Sequence, residues 1–269
     1  MTTSISTNSS VAAQSSVKPY DRENLAAAFP FNTHAILLDI DGTILDLAAT
    51  PTGVQMPSNL QSVLTTLWKC TGGALALVSG RPLDDIDSIF APLELPAIGG
   101  HGAELRPEAS TGNILRPAPL LEERVRRHLM ELMSKGMIAE DKGHSMALHY
   151  RGAPERGDEL LAGVQRLIAG KLGSTYEALP GKFVIEIKPT GFNKGTAVLE
   201  LMDMPPFKGR VPIFIGDDVT DESVFAILPN LKGIGFSVGR LFPGVTGVFR
   251  YPEEVRDWLS RIAAQASDK

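Results

Sequence analysis

Asp39 and Asp41 lie two residues apart at the end of an apolar run and are followed by Gly42 and Thr43. At this spacing on a strand end, both carboxylates project to the same side, and Gly42 lets the chain turn away sharply. Two carboxylates this close repel each other unless one is protonated or a cation lies between them. A Mg²⁺ ion with a phosphorylated substrate would supply that cation. The alternative is a turn with two solvated acids, which is common for a bare pair.

Two more apolar runs end in polar groups. The next run along the chain ends in Ser79-Gly80-Arg81, and a later run ends in Gly216-Asp217-Asp218. Ligands of open α/β sheets bind outside the carboxyl ends of the strands. Three chain segments would therefore deliver polar side chains to one rim. Any one of them alone could cap the following helix, but three with this chemistry favour a functional site.

The elements that must position these residues follow from the hydrophobic pattern. Apolar runs cover residues 35–38, 74–78, 211–215 and 234–238, with a weaker one at 95–98. The runs are continuous rather than alternating, which is typical of strands covered on both faces. Helical patterns lie between several of them, at 60–69, 84–90 and 194–202. Alternating strands and helices predict an α/β fold with a doubly wound, Rossmann-like parallel sheet.

The middle of the chain has a different pattern. We predict an amphipathic helix over 119–135, an alternating strand over 145–151, a second helix over about 155–172, and a hairpin of 174–179 with 182–188 turning at Pro180-Gly181. In the hairpin, one face would carry Phe183, Ile185 and Ile187, and the other Val184, Glu186 and Lys188. This pattern predicts a smaller α+β domain inserted into the core.

The predicted domains are a disordered tail over 1–20, a catalytic core formed by 21–114 and 189–269, and the inserted domain over 115–188. The tail is rich in Ser and Thr and lacks the features of a secretory signal. A net charge of −5 argues against a nucleic-acid partner, and no apolar run reaches membrane-spanning length. Cys70 is the only cysteine, which fits a reducing compartment. We expect a cytoplasmic protein that is a monomer or weak oligomer.

Four motifs in this order resemble those of the haloacid dehalogenase superfamily of phosphotransferases. They are Asp39-x-Asp41-Gly-Thr, Ser79 after an apolar strand, Lys194 in Phe-Asn-Lys-Gly, and Gly216-Asp-Asp-x-Thr-Asp-Glu222. Any one of these motifs is a weak signal, whereas four of them spread along the chain are much more specific.

The resemblance implies a role for each of these residues. Asp39 would be the nucleophile that forms an aspartyl-phosphate, and Asp41 the general acid and base. Ser79 and Lys194 would bind the transferring phosphoryl group. Asp39, Asp41 and Asp217 would hold Mg²⁺. Asp218 is the less favoured ligand and could instead orient Lys194 or a metal-bound water.

Longer segments, among them Gly100-His-Gly-Ala-Glu104, Ala147-Leu-His-Tyr-Arg151 and Val184-Ile-Glu-Ile-Lys-Pro189, are similar to trehalose-6-phosphate phosphatases. That family carries an α+β cap between its second and third motifs and performs the last step of trehalose biosynthesis. The resemblance implies a sugar-phosphate substrate, with the sugar bound by polar cap residues. The expected substrate-binding residues are Arg81, His101, Lys142, His149, Arg151, Glu186 and Lys188. Arg81 could instead pair with a core acid, and His101 could be a loop residue without contact to the substrate. Alternatively, the cap face carries solvated cross-strand ion pairs.

Other functions stay open at this point. A sibling phosphatase would act on sucrose 6-phosphate or mannosylglycerate phosphate, and a phosphomutase would return the phosphate to the sugar. A non-catalytic sugar-phosphate sensor would also share the fold, although such a protein would be free to lose Asp41 or Lys194. A receiver-type signalling domain lacks the large insertion and the Asp-x-Asp-Gly-Thr turn.

Overall fold

The computed structural model describes residues 22–47, 53–109, 119–181 and 183–266. The predicted tail over 1–20 and the predicted start of the insertion at 115 lie outside these residues. The strands are β1 (His34–Leu38), β2 (Leu75–Val78), β3 (Ala97–Gly99), β4 (Glu104–Arg106), β5 (Ile138–Asp141), β6 (Met146–His149), β7 (Tyr176–Gly181), β8 (Val184–Pro189), β9 (Val211–Gly216), β10 (Ile234–Val238) and β11 (Gly247–Phe249). The α-helices are α1 (Arg22–Ala27), α2 (Leu60–Cys70), α3 (Leu83–Phe90), α4 (Glu123–Met130), α5 (Gly157–Leu167), α6 (Lys194–Met202), α7 (Glu222–Phe225) and α8 (Pro252–Ala266).

Seven strands form one sheet in the order β11-β10-β9-β1-β2-β3-β4. All neighbours are parallel except β3 and β4. The predicted α/β fold with a doubly wound sheet is confirmed. Within the described residues, none of the helices combines the length and apolar character needed to cross a bilayer.

The apolar runs are continuous because each face of this sheet carries its own hydrophobic core. Ile36 and Leu38 of β1 pack on one face, together with side chains of α1, α2, α3 and α8. Ala35 and Leu37 point to the opposite face, where α6 and α7 cover them. Alternate residues of one strand thus enter different cores, and both sets are buried.

The remaining four strands form an antiparallel sheet in the order β5-β6-β8-β7. Met146 and Leu148 of β6, with Ile185 and Ile187 of β8, pack against α4 and α5 in a third core. The opposite face of this sheet, which we call the cap wall, is directed toward the seven-stranded domain. The cap wall therefore positions polar side chains for the site described below.

Two sequence predictions in this domain were wrong in detail, namely the bounds of the first helix and the position of the hairpin turn. The helix predicted over 119–135 spans only Glu123–Met130, because Glu122 before it has extended backbone and the residues after it form tighter turns, in which Leu132 and Met133 donate to the carbonyls of Leu129 and Met130. The apolar stripe is longer than the helix because Leu121 and Leu132 still pack on the third core. The second helix, predicted over about 155–172, is confirmed, because α5 is continued at one end by a 3₁₀ turn over Pro154–Arg156 and at the other by a π turn over Ile168–Leu172.

The hairpin turn lies two residues later than predicted. Gly181 pairs with Val184, so Pro180 and Gly181 are strand residues and the turn follows Gly181. The sequence pattern places Phe183 on one face with Ile185 and Ile187, and this prediction is wrong. Phe183 is not part of their hydrophobic core and lines the cavity instead. Strand β5 was not predicted, since it has only four residues, two of them acidic, and none is fully buried.

Candidate active site

The carboxyl ends of three neighbouring strands bring the predicted catalytic residues to one rim. Strands β9, β1 and β2 lie side by side and run parallel. Asp217, Asp39 and Ser79 each immediately follow the last residue of one of these strands. All three line a cavity of about 350 Å³ between the rim and the cap wall. This is the location at which ligands of open α/β sheets bind.

Lys194 enters the cavity from the first turn of α6. The Asn193 side chain caps this helix by accepting a hydrogen bond from the backbone N–H of Thr196, which fixes where the helix begins. Lys194 is 2% exposed, and its Nζ lies 2.7 Å from Oδ1 of Asp39 and 2.7 Å from Oδ1 of Asp221. Its ammonium group is thus held between two carboxylates at the floor of the cavity.

The second oxygen of the Asp39 carboxylate also has a partner. The Thr43 hydroxyl donates to Oδ2 of Asp39 at 2.9 Å, within the buried turn that follows the strand. The backbone N–H of Asp39 donates to the carbonyl of Ile215 on the neighbouring strand. Both the backbone and the carboxylate of Asp39 are therefore fixed in orientation, as expected of a preorganised nucleophile.

Negative charge exceeds positive charge in this cluster. Burial raises the pKa of Asp39 to about 6, although Lys194 and Thr43 oppose the shift. Burial and the neighbouring carboxylates of Asp39, Asp221 and Asp218 raise the pKa of Asp217 to about 8. Burial would lower the pKa of Lys194, but Asp221 and Asp39 raise it above its ordinary value. One lysine does not neutralise these acids, so the cluster favours a further cation.

The oxygens of this cluster fit a metal ion. Asp39, Asp217 and Asp221 each offer one carboxylate oxygen, and these oxygens all lie within 4.8 Å of one another. Gly42, with a φ of +79°, makes room for them, because a Cβ there would lie 2.1 Å from Oδ2 of Asp217. Carboxylate oxygens are the ligands that Mg²⁺ and Ca²⁺ prefer. The carboxylate of Asp41 is not part of this group.

Asp41 instead pairs with Arg81 across the cavity. The guanidinium donates through Nε at 2.6 Å and through Nη2 at 2.7 Å to the two carboxylate oxygens. Such bidentate pairs fix both side chains in one geometry. Burial would lower the pKa of Arg81, but the hydrogen bonds and charge of Asp41 raise it. The hydroxyl oxygen of Ser79 accepts from the backbone N–H of Arg81 at 3.1 Å, which links the second motif to this pair.

The cap wall contributes a second buried carboxylate. Glu186 is 7% exposed and accepts hydrogen bonds from Ser145 at 2.6 Å and from Lys142 at 3.0 Å. His101, from the core, lies 3.3 Å away. Burial alone would raise the pKa of Glu186, but His101, Lys142 and Ser145 hold it well below its usual range. An ionised Glu186 is thus a strong hydrogen-bond acceptor at the meeting point of core and cap.

Farther along the cap wall, Glu140 of β5 pairs with Nε2 of His149 at 2.8 Å. The hydrogen bond from His149 lowers the pKa of Glu140. Arg151 lines the cavity beside them. Alternating donors and acceptors along this wall suit a polyhydroxylated ligand, since hydroxyl groups both donate and accept.

Comparison with known proteins agrees with this arrangement. The profile of the family described as trehalose-phosphatase matches residues 37–248, which include every residue of the site described above. A probable trehalose-phosphate phosphatase of Sinorhizobium fredii is 40% identical over 237 residues, covering 85% of this chain and 87% of the relative. The trehalose-6-phosphate phosphatase of Escherichia coli is 35% identical, covering 88% and 89%. The chain belongs to the trehalose-phosphatase family.

A solved structure of a Candida albicans trehalose-6-phosphate phosphatase C-terminal domain has the same fold, with a TM-score of 0.79 at 18% sequence identity. It covers 91% of this chain and 98% of that domain. The likeness extends across both sheets of this trehalose-phosphatase family member. It supports the fold, whereas the roles of individual residues rest on the geometry of the site.

In this trehalose-phosphatase family member, the structure brings most of the predicted binding residues together. Those that line the cavity are Arg81, His101, Lys142, His149, Arg151 and Glu186. Lys188 does not line it. Lys188 is buried, and its Nζ donates to Glu177 and to the carbonyl of Phe192. It lies at the end of β8 remote from the hairpin turn, where it ties the cap to the segment leading into α6. Asp218 lines the cavity, but Asp221 takes the position beside Lys194.

Several residues of the site were not predicted. Asp221 reaches Lys194 because a 3₁₀ turn folds it back, with its carboxylate accepting from the backbone N–H of Asp218 at 3.0 Å. The sequence did offer one signal for Asp221, since it lies four residues after Asp217 in the same acidic motif. Glu140 was not predicted as a site residue because it lies on β5, a strand that the sequence pattern did not indicate. Asp85 and Phe183 also line the cavity, and no sequence pattern pointed to them.

Proposed function

We propose that this protein hydrolyses trehalose 6-phosphate to trehalose and phosphate through an aspartyl-phosphate on Asp39. The observation that supports this most directly is the buried contact of Lys194 with Asp39 in a cavity whose opposite wall carries the Glu186 cluster. A phosphoryl group at the rim and a sugar against the cap wall would fill one continuous space. Membership of the trehalose-phosphatase family supports the choice of sugar.

The first step forms a bond between a carboxylate oxygen of Asp39 and phosphorus and breaks the bond from phosphorus to the sugar oxygen. Asp41 donates a proton to that leaving oxygen. Lys194 neutralises charge on the phosphoryl oxygens, and Ser79 hydrogen-bonds one of them. In the second step, water attacks phosphorus, Asp41 accepts its proton, and phosphate leaves while Asp39 is regenerated.

Proton transfer by Asp41 requires its pair with Arg81 to separate. The guanidinium lies in the cavity, where the anionic phosphoryl group of the substrate would compete for it. Arginine suits such an exchange because it binds carboxylates and phosphates with the same bidentate geometry. We infer that substrate binding draws Arg81 toward the phosphoryl group and frees Asp41.

The metal in this proposal is Mg²⁺, held by Asp39 and Asp217, with Asp221 as a further neighbour. Mg²⁺ held there would supply positive charge to the phosphoryl oxygens. The roles of Asp41 and Asp218 as ligands stay predictions. The chain's own contribution is to place three acids around one position and to balance only part of their charge with Lys194.

The raised pKa of Asp217 predicts how the stability of the metal-free protein depends on pH. The folded protein retains a proton on Asp217 that the unfolded chain releases between the ordinary pKa of 3.8 and the raised value of about 8. Its contribution to the free energy of unfolding is therefore complete at low pH and is lost as pH rises through this window. Mg²⁺ should replace the proton, so the melting temperature should rise more on adding Mg²⁺ at pH 8 than at pH 5.

Asp217→Asn should flatten this pH dependence and abolish the response to Mg²⁺, as measured by thermal unfolding with and without the ion. Asp203→Asn is the matched control, because Asp203 is exposed at the end of α6 and outside the cavity. A full Mg²⁺ response in the Asp217 variant would refute the proposed metal site.

A substrate panel tests the choice of sugar. With Mg²⁺, phosphate release from trehalose 6-phosphate should be at least about 100-fold faster in kcat/KM than from sucrose 6-phosphate or glucose 6-phosphate, because a polar site rejects sugars that leave its buried groups unpaired. The measurement is initial-rate phosphate release for each ester. Comparable rates for all three would contradict the assignment. Location in the cytoplasm and a monomeric or weakly oligomeric state stay predictions.

A further inference from the structure

Phe183 is an aromatic side chain exposed at the cap hairpin turn. It lines the cavity, is 36% exposed and has a φ of +60°. Left-handed backbone is unusual for a bulky residue without a glycine's freedom. Such strain persists only where the surroundings impose it, and it clusters at ligand sites. An exposed phenyl ring on left-handed backbone thus faces a cavity that most of the other lining residues reach with polar or charged groups.

The ring is held in place by its neighbours. The backbone N–H of Tyr150 donates to the carbonyl of Phe183 at 2.9 Å. The two rings meet edge to face, with centroids 5.9 Å apart and planes at 69°. Tyr150 in turn packs against Gly157, where a Cβ would lie 2.5 Å from its ring. Phe183 is thus presented to the cavity on a braced support.

The surface around this ring is apolar at its centre and polar at its edge. Val184 and Ala147 continue the apolar surface along the cap wall. The guanidinium of Arg151 lies 5.7 Å from the centroid of the Phe183 ring. His149 of β6 is paired with Val184, the residue that follows Phe183. A pyranose ring has the complementary shape, with a face of C–H groups and a rim of hydroxyls. Apolar surfaces with a few placed polar groups are typical of small-molecule sites.

The position of Phe183 along β8 indicates which part of the substrate it meets. Glu186 marks the end of the wall nearest the core, because it contacts His101. Phe183 is three residues away toward the turn, roughly 10 Å at the rise of a strand. With the phosphoryl group at Asp39, a ring beside Phe183 is the one farther from the phosphate.

We propose that Phe183 determines specificity by stacking against the sugar ring that does not carry the phosphate. This inference rests on the proposed function and adds a residue to it. The polar groups of the wall would fix the hydroxyls, while Phe183 would select for a second ring. A monosaccharide phosphate would not reach it.

The test compares Phe183→Leu, Phe183→Tyr and Phe183→Gly. Loss of the ring in the Leu and Gly variants should raise KM for trehalose 6-phosphate roughly threefold to tenfold, with kcat unchanged. The kcat/KM for glucose 6-phosphate should not change. The Tyr variant, which keeps the ring, should behave like the wild type. Phe183→Gly should melt at the same or a higher temperature, because glycine relieves the left-handed strain.

Calorimetric titration with trehalose separates this inference from the proposed function. The Leu and Gly variants should bind trehalose more weakly than the wild type by the same factor as the change in KM. Unchanged binding in both variants, equal losses on glucose 6-phosphate, or no measurable binding by the wild type would overturn the role of Phe183. Absence of trehalose 6-phosphate turnover by the wild type would overturn the proposed function, while the titration still decides on Phe183.

Discussion

Asp39→Asn should lower kcat toward trehalose 6-phosphate by roughly 10⁴-fold or more, since the variant lacks the nucleophile. The fold should survive. The amide oxygen can still accept from Lys194, and the amide nitrogen can donate to the Thr43 hydroxyl, which now lies 2.9 Å from Asp39. Burial already disfavours the charged form of Asp39, as its raised pKa indicates. Removal of that charge should therefore cost little stability.

The measurements are steady-state phosphate release and thermal unfolding, with acid-quenched mass spectrometry to detect phosphate on the wild-type enzyme. Asp203→Asn again serves as the control, and it should retain full turnover because Asp203 is exposed and outside the cavity. Turnover of the wild-type order in the Asp39 variant would rule out covalent catalysis through this residue.

Glu186→Gln should reduce kcat/KM for trehalose 6-phosphate by roughly tenfold to 100-fold, the range expected for hydrogen bonds to a charged group. The wild-type carboxylate is held ionised by His101, Lys142 and Ser145. An amide would turn one acceptor into a donor and leave the Lys142 ammonium without its charged partner. The substitution should weaken recognition of the sugar only. Acetyl phosphate, which has no sugar, should therefore be hydrolysed at nearly the wild-type rate.

Glu159→Gln on α5 is the matched control for this variant. Glu159 is an exposed cap carboxylate that pairs with Arg156 and does not line the cavity. It should leave both substrates unaffected. If the Glu186 variant loses activity equally on trehalose 6-phosphate and acetyl phosphate, then Glu186 supports the structure of the site rather than recognition of the sugar.

The residues of the catalytic rim were predictable because short local patterns in the sequence indicate them. Asp39, Ser79 and Asp217 each follow an apolar run, and the carboxyl ends of parallel strands must meet at one edge of the sheet. Lys194 was predictable from its motif at the start of a helix. An ion pair of Arg81 with a core acid was one of two alternatives, but its partner Asp41 was not predictable, because it depends on how two separate turns approach each other.

The cap was less predictable because small shifts in register change which residues face the ligand. A turn two residues later than expected moved Phe183 from the buried face to the cavity. Lys188 shares a strand face with Glu186 but does not line the cavity. It lies at the other end of the strand, where its Nζ donates to the carbonyl of Phe192 in the segment that leads into α6. Alternation assigns a residue to a face but does not say which part of that face another domain covers.

The amino-acid sequence by itself determined the fold class, the order of the elements and the acids and lysine at the sheet edge. Those features depend on hydrophobic period and on motifs a few residues long. The tertiary structure decided that Asp221 neutralises Lys194, that Arg81 holds Asp41, and which cap residues line the cavity. These contacts join residues far apart in the sequence: Lys194 and Asp221 are 27 residues apart and Asp41 and Arg81 are 40 apart, while His101 and Glu186 are about 85 apart. Their geometry is set by the packing of whole domains, and no local pattern encodes it.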